Sequence, residues 1–221
     1  MSLAIIPVKH LSKGKSRLAP RLPREALERL SLAMLKDIIA ALLATSSVDR
    51  IAVVTPDASV AECAKAAGAI GLLRDDPGLN ESIDAAASEL AKPGESTLVI
   101  LGDVAGATAD DLESMFASLD ANTSAGASNG SVVIAASADG GTAAMLRAPG
   151  GAIASHFGPQ SCKAHRELAS EAGAHYVELE LASLAIDLDH PQDVDDFLNT
   201  EREAGGSETR RIFKELNWKT P

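Results

Sequence analysis

The sequence predicts an α/β protein in three layers, a mostly parallel sheet with helices on both faces. Two observations carry that prediction. Short apolar, β-branched runs alternate with longer segments of helical apolar spacing, four times in succession from the first residues. Two of these runs, residues 3–8 with five apolar positions of six and 96–101 with four consecutive apolar residues, pass directly into charged loops, as strands do on leaving a buried sheet. With 221 residues, 46% of them apolar, one sizeable core can form.

Residues 3–8 hold five apolar positions of six, with β-branched Ile5, Ile6 and Val8, and read as the first strand. A cationic loop follows. From Met1 to Arg24 there are six Lys or Arg and no acid, in a chain of net charge -11. Positive charge gathered in one loop of an acidic protein marks a local anion site rather than a general affinity for polyanions. Gly14-Lys15-Ser16 looks like the end of a P-loop, but that motif needs a glycine where Lys9 stands, so a backbone nest for phosphate is not specified.

Residues 25–43 carry apolar positions at helical spacing and form the first crossover helix. Arg50–Thr55 is the second strand; a helix opens at Pro56-Asp57, runs to about residue 67 and stops at Gly68; residues 69–73 are a short third strand. A turn-rich loop, residues 74–80, leads into an alanine-rich helix over 81–91 that Pro93-Gly94 breaks. The strand at 96–101 runs into Gly102-Asp103, and a helix follows from about 108 to 119. Residues 122–131 read as a flexible surface connection and 132–136 as a strand. After Asp139-Gly140-Gly141-Thr142, residues 143–147 return as a strand or turn into a short helix. A helix over 162–172, a strand over 176–179 and a helix over 192–204 complete a domain of residues 1–204. Gly205-Gly206 reads as a hinge to a C-terminal extension, residues 205–221, whose amphipathic helix at 208–216 would pack on the domain or supply a homodimer contact.

In parallel sheets ligands sit outside the carboxyl ends of the strands, which singles out Asp103, at the edge where the basic loop also emerges. Asp187 and Asp189, two apart in an extended segment, project to the same side, and an acid pair of that kind suits magnesium. Ser161 follows Gly158-Pro159 at a helix start, where free N–H groups can hold a phosphate or carboxylate, and His165 lies one turn on. The Gly140-Gly141 pair lets backbone approach a ligand, and Thr142 offers a hydroxyl there.

Composition excludes other classes. Only 3% of residues are aromatic and the pI is near 4.9, which argues against nucleic acid as a partner. Cys63 and Cys162 belong to no CxxC or zinc spacing, and the longest apolar stretch, residues 38–44, is far short of a membrane span. A cytoplasmic protein is expected.

In order along the chain, Ile6-Pro-Val-Lys9 with Gly14-Lys15-Ser16-Arg17-Leu18, Gly78-Leu79-Asn80, Asp103, Gly140-Gly141-Thr142, Phe157-Gly158-Pro159 with Ser161 and His165, and Asp187-Leu-Asp189 before Pro191 resemble the 2-phospho-L-lactate guanylyltransferase family of coenzyme F420 biosynthesis. The resemblance implies a nucleotide-diphospho-sugar-transferase (GT-A-like) fold. It implies GTP and a small phosphorylated three-carbon acid as substrates, a guanylylated acid and pyrophosphate as products, and magnesium as cofactor. By the same resemblance Lys15, Arg17 and Asp103 are catalytic, and Lys9, Lys15, Gly78 and Asn80 hold the nucleotide. Thr142, Gly158, Ser161 and His165 hold the acid, and Asp103, Asp187 and Asp189 hold the metal. The chain departs from the family pattern where Gly102-Asp103-Val104-Ala105 replaces Ala-Asp-Leu-Pro, Gly141-Thr142-Ala143 replaces Gly-Thr-Asn, and His190-Pro191-Gln192-Asp193 replaces Thr-Pro-Glu-Asp. Other nucleotidyltransferases of the fold, acting on sugar phosphates or molybdopterin, carry a Gly-x-Gly-x-Arg loop that Lys13-Gly14-Lys15-Ser16-Arg17 does not match. A non-catalytic nucleotide-binding homologue is the alternative from another class.

Overall fold

The computed structural model describes residues 1–123, 129–200 and 205–219. Seven strands form one sheet: β1 (Ser2–Pro7), β2 (Arg50–Thr55), β3 (Ile70–Leu73), β4 (Ser96–Ile100), β5 (Ser131–Ala136), β6 (Thr142–Ala148) and β7 (His175–Leu179), in the order β3-β2-β1-β4-β6-β5-β7. All run parallel except β6, which is antiparallel to both β4 and β5. The glycine-rich stretch after β5 is therefore a hairpin turn, and residues 143–147 return as a strand. β1 lies inside the sheet between β2 and β4, fully buried along its length, because both its faces are covered and every side chain on it is apolar or small.

The helices are α1 (Arg24–Ala44), α2 (Ala58–Ala66), α3 (Leu79–Leu90), α4 (Ala109–Thr123), α5 (Ser161–Ala172), α6 (Pro191–Asn199) and α7 (Ser207–Glu215). Two short 3-10 turns, Leu11–Lys13 and Ser16–Leu18, shape the loop after β1. One core places α1, α2 and α4 on a face of the sheet through Leu35, Ile39, Val60, Leu112 and Met115. The other packs α3 and α5 against Leu3, Ile5 and Met145 through Ile83, Ala86 and Ala169. These are the three layers the alternating pattern predicts.

A third core positions the functional edge. Leu18 and Leu22 of the basic loop, Leu27 and Leu30 of α1, Leu188 between the two aspartates, and Ile212 and Phe213 of α7 pack together. The C-terminal helix thus belongs to the same packed body as α1. Its first turn is capped by a distant residue: Asp37 accepts the N–H groups of Glu208 and Thr209 at 2.9 and 2.8 Å. Trp218 closes the end, donating Nε1–H to Asp195 at 2.8 Å with the Arg21 guanidinium over its ring. Gly205-Gly206 is not a hinge. Both are buried, and an added Cβ would meet the Gly106 carbonyl at 2.2 Å or Phe197 at 2.3 Å, so glycine is required here for close packing. Residues 124–128 of the expected flexible connection lie outside the described residues, and the helix expected to reach 204 ends at Asn199, where Thr200 turns to extended backbone.

Candidate active site

A cleft of about 620 Å³ opens at the carboxyl edge of the sheet, within the roughly 300–1,000 Å³ usual for small-molecule sites. The loop after β1, the turn after β4, the β5–β6 hairpin, the start of α5 and the segment before α6 all contribute to it. Their convergence follows from topology, since parallel strands deliver their following loops to one edge.

Lys15 lies at the centre. Its backbone is left-handed, with φ of 54°, between the two 3-10 turns, a conformation seldom adopted by a side chain of this length outside functional loops. Its ammonium bridges two carboxylates, 3.2 Å from Asp103 Oδ2 and 3.3 Å from Asp189 Oδ1. Arg17 completes the chain of charges, 3.1 Å from Asp189 Oδ2. Burial pushes the Lys15 pKa down, but the charges of Asp103 and Asp189 outweigh it and the net pKa is raised, so Lys15 is a cation at any ordinary pH. Lys9 and Lys13 also line the cleft, and their ammonium groups engage no partner among the described residues.

The acids are held by their backbones. Gly102 lets Asp103 follow β4 closely, since an added Cβ would lie 3.1 Å from the Pro7 carbonyl. The Asp103 carbonyl accepts the Leu188 N–H at 3.2 Å, which ties the two acidic segments together. Leu188 is buried in the third core and Asp187 and Asp189 flank it at the cleft; the segment is a tight turn, with the Asp189 N–H on the Asp187 carbonyl at 2.9 Å, and not the extended chain expected. Asp193 fixes this segment by accepting the N–H groups of Asp189 and His190. Burial, and then the charges of Asp103, Asp193, Asp139 and Asp189, hold the Asp187 carboxyl above the usual carboxylate range. Asp103 Oδ1 is buried without a partner.

A divalent ion fits this donor chemistry, since an orphaned carboxylate oxygen shares the cleft with a carboxyl that burial and then surrounding negative charge destabilise. Among the described residues no three His, Cys, Asp or Glu side chains form a ready-made cage. Lys15 stands between Asp103 and Asp189. Magnesium characteristically takes one or two carboxylates and completes its shell with water and substrate phosphate, so a full protein cage is not required.

Thr142, Gly158 and Ser161 line the same cleft. Gly158 has φ of 145°, a conformation that favours glycine, and Gln160 adopts φ of 58° before α5 begins. The Ser161 hydroxyl lies 2.9 Å from the Thr142 hydroxyl, and both residues line the cleft although they are buried in its wall. His165, expected to contact the acid, is fully buried instead. Its ring is fixed by Thr142 Oγ1 at 3.1 Å on Nδ1 and by the His156 N–H at 3.0 Å on Nε2, so it reaches the cleft only through Thr142.

Gly78 and Asn80, expected at the nucleoside, also stand one step back. Asn80 donates Nδ2–H to the Phe157 carbonyl at 3.1 Å and accepts the Phe157 N–H at 2.7 Å, so both ends of its amide clamp the loop that carries Gly158. Leu79, between them, lines the cleft. Below the clamp, Asp84 binds the backbone and hydroxyl of Ser155, and buried Arg147 donates to the Ile153 carbonyl at 2.7 Å. Sequence reasoning missed Asp139 as a cleft residue. Its bonds from Ser137 and from the Gly141 N–H lower its pKa, so it adds a fixed negative charge beside Thr142. Neither Val104 nor Ala143, the two departures nearest the site, lines the cleft; both are buried in the first core.

The model of the guanylyl transferase CofC-like family matches residues 2–217. The chain belongs to that family. It is similar to a phosphoenolpyruvate guanylyltransferase of Sphaerobacter thermophilus, at 35% identity over 88% of this chain and 91% of that protein. A 3-phospho-D-glycerate guanylyltransferase of Phenylobacterium zucineum is 32% identical over 98% of this chain and 97% of that protein. Family membership makes the chain a nucleotidyltransferase. Among solved structures, a nucleotide-diphospho-sugar transferase from Desulfovibrio desulfuricans G20 superposes with a TM-score of 0.72 at 16% identity, covering 97% of this chain and 96% of that one. A cytidylyltransferase from Leptospira borgpetersenii superposes at 0.61 and 11% identity, covering 100% and 99%. At those identities the likeness establishes the fold, the α/β sandwich of nucleotide-diphospho-sugar transferases, and nothing finer. No helix among the described residues is long and apolar enough to cross a membrane.

Proposed function

We propose that this enzyme transfers GMP from GTP to the phosphate of a small three-carbon acid, phosphoenolpyruvate, 3-phosphoglycerate or 2-phospho-L-lactate, releasing pyrophosphate, as a cytoplasmic step in coenzyme F420 biosynthesis. The observation that carries this reading is the Lys15 ammonium set between Asp103 and Asp189, with Arg17 beside it and two further lysines along the same cleft. It is supported by the named activities of relatives that match nearly end to end.

The reaction forms a bond from an oxygen of the acceptor phosphate to the α-phosphorus of GTP and breaks the bond from that phosphorus to the bridging oxygen, which leaves with pyrophosphate. The acceptor is an anion at neutral pH, so no side chain has to remove a proton. The difficulty is to bring two polyanions in line. Lys9, Lys15 and Arg17 would neutralise the triphosphate and the departing pyrophosphate. The Thr142 and Ser161 hydroxyls and the backbone at Gly158 would hold the acid. Asp103, Asp187 and Asp189 would hold magnesium, which when bound supplies charge neutralisation on the phosphates.

The test is pyrophosphate release with each nucleoside triphosphate against each of the three acids, with magnesium and with chelator. Release is expected with GTP, with at least one of the acids, and only with the ion. GTP binding without release from any acid would remove the catalytic reading.

A further inference from the structure

We infer that His165 is a positioning residue for the acid substrate, setting the polarity of the Thr142–Ser161 hydroxyl pair so that one hydroxyl hydrogen remains to point at an anion in the cleft. The inference rests on the reading of Thr142 and Ser161 as contacts of the acid. It follows from counting hydrogens. A backbone amide can only donate, so the His156 N–H at 3.0 Å makes His165 Nε2 an acceptor, and the neutral ring carries its proton on Nδ1. Nδ1–H then donates to Thr142 Oγ1 at 3.1 Å.

The two hydroxyls have two hydrogens, and one lies in the bond between them at 2.9 Å. Whichever hydroxyl donates in that bond, the other hydrogen is free. Cys162, whose thiol donates to the Gly141 carbonyl at 2.8 Å, offers that hydrogen only a sulfur lone pair 3.7 Å from Thr142 Oγ1, a weak acceptor that a phosphate or carboxylate oxygen outcompetes. With the opposite tautomer Nδ1 would be an acceptor. Thr142 would donate to it, Ser161 would donate to Thr142, and the cleft would face only hydroxyl lone pairs, which repel a phosphate or carboxylate.

The ring is kept neutral and still. Burial first, then the neighbouring His156 and Arg147, depress its pKa to about 4. Phe157 packs edge-on against it, with centroids 5.3 Å apart, and the backbone of Phe157 is itself clamped by Asn80. The loop that bears Gly158 therefore fixes the imidazole, and the imidazole fixes the donor.

Two measurements test this. Nitrogen-15 NMR of the histidine-labelled wild type near neutral pH should show His165 protonated on Nδ1 with Nε2 bare; the reverse tautomer overturns the proposal whether or not any variant folds. Calorimetric titration of phosphoenolpyruvate, 3-phosphoglycerate, 2-phospho-L-lactate and GTP then compares the wild type with His165→Asn, whose amide N–H can replace Nδ1–H, and His165→Phe, which cannot donate. His165→Asn should bind the acid within about threefold of wild type, and His165→Phe about fivefold or more weaker, because the spare hydrogen remains but the neutral hydrogen bond that orients the Thr142 hydroxyl is gone, with GTP affinity unchanged. Unimpaired acid binding by His165→Phe, or parallel loss of acid and GTP, overturns the positioning role. A wild type that binds GTP but none of the three acids removes the reading of these hydroxyls as an acid pocket, and this inference with it.

Discussion

Asp103→Asn exchanges one carboxylate oxygen for an amide nitrogen of nearly the same shape, so its consequences are electrostatic. What the fold loses is the charge on one of two acceptors of the Lys15 ammonium, the one at 3.2 Å; a hydrogen bond to a charged partner contributes about 1.5–3 kcal/mol. Two compensations reduce that. The remaining amide oxygen can still accept from Lys15, which also keeps Asp189 at 3.3 Å, and Asp187 is relieved of one of the negative charges that raise its pKa. The net change in stability should be within about 1 kcal/mol, a shift in Tm of roughly 2–4 °C for a chain of this size. Turnover has no such compensation. Removing a single group placed for developing charge commonly costs about 10²–10³ in kcat, and Asp103 would also lose its orphaned Oδ1 as a metal contact. Pyrophosphate release at saturating GTP, acid and magnesium should fall by about 10³-fold or more while thermal denaturation stays near wild type. A variant that keeps a tenth of normal turnover would refute the assignment of Asp103, and one whose Tm collapses would make the residue structural.

Other outcomes follow from the same geometry. Because the folded state raises the Asp187 pKa, the ionised carboxylate is disfavoured in the fold, and stability is lost as pH rises through that raised value. Asp187→Asn should therefore melt higher than wild type at neutral pH in chelator, the difference fading as pH falls through the ordinary carboxylate range, yet show no turnover. Asn80→Ala strands the Phe157 N–H and carbonyl; it should cost about 1–3 kcal/mol in urea denaturation and raise KM for the acid more than for GTP. Asp37→Ala removes the cap of the C-terminal helix and should destabilise by about 1 kcal/mol with kcat unchanged, since Asp37 does not line the cleft.

The chain alone determined its strands, most of its helices and the kinds of chemistry present. β1 and β4 are readable because burial on both faces demands unbroken apolar runs. The pairing of Asp187 and Asp189 is readable from their two-residue spacing around apolar Leu188, but the chain turns there, with the Asp189 N–H on the Asp187 carbonyl at 2.9 Å, rather than running extended. The cationic loop shows itself by contrast with an acidic whole. Only the tertiary structure decided which residues meet. Lys15 reaches partners 88 and 174 positions away, and no local period encodes such a distance. Asn80 and His165 were visible as polar residues near a ligand loop, but whether an amide or imidazole faces substrate or supports a neighbour depends on the partners that packing brings to it. Gly205-Gly206 has the composition of a hinge and the role of a tight contact, because glycine serves both uses and only its surroundings select one.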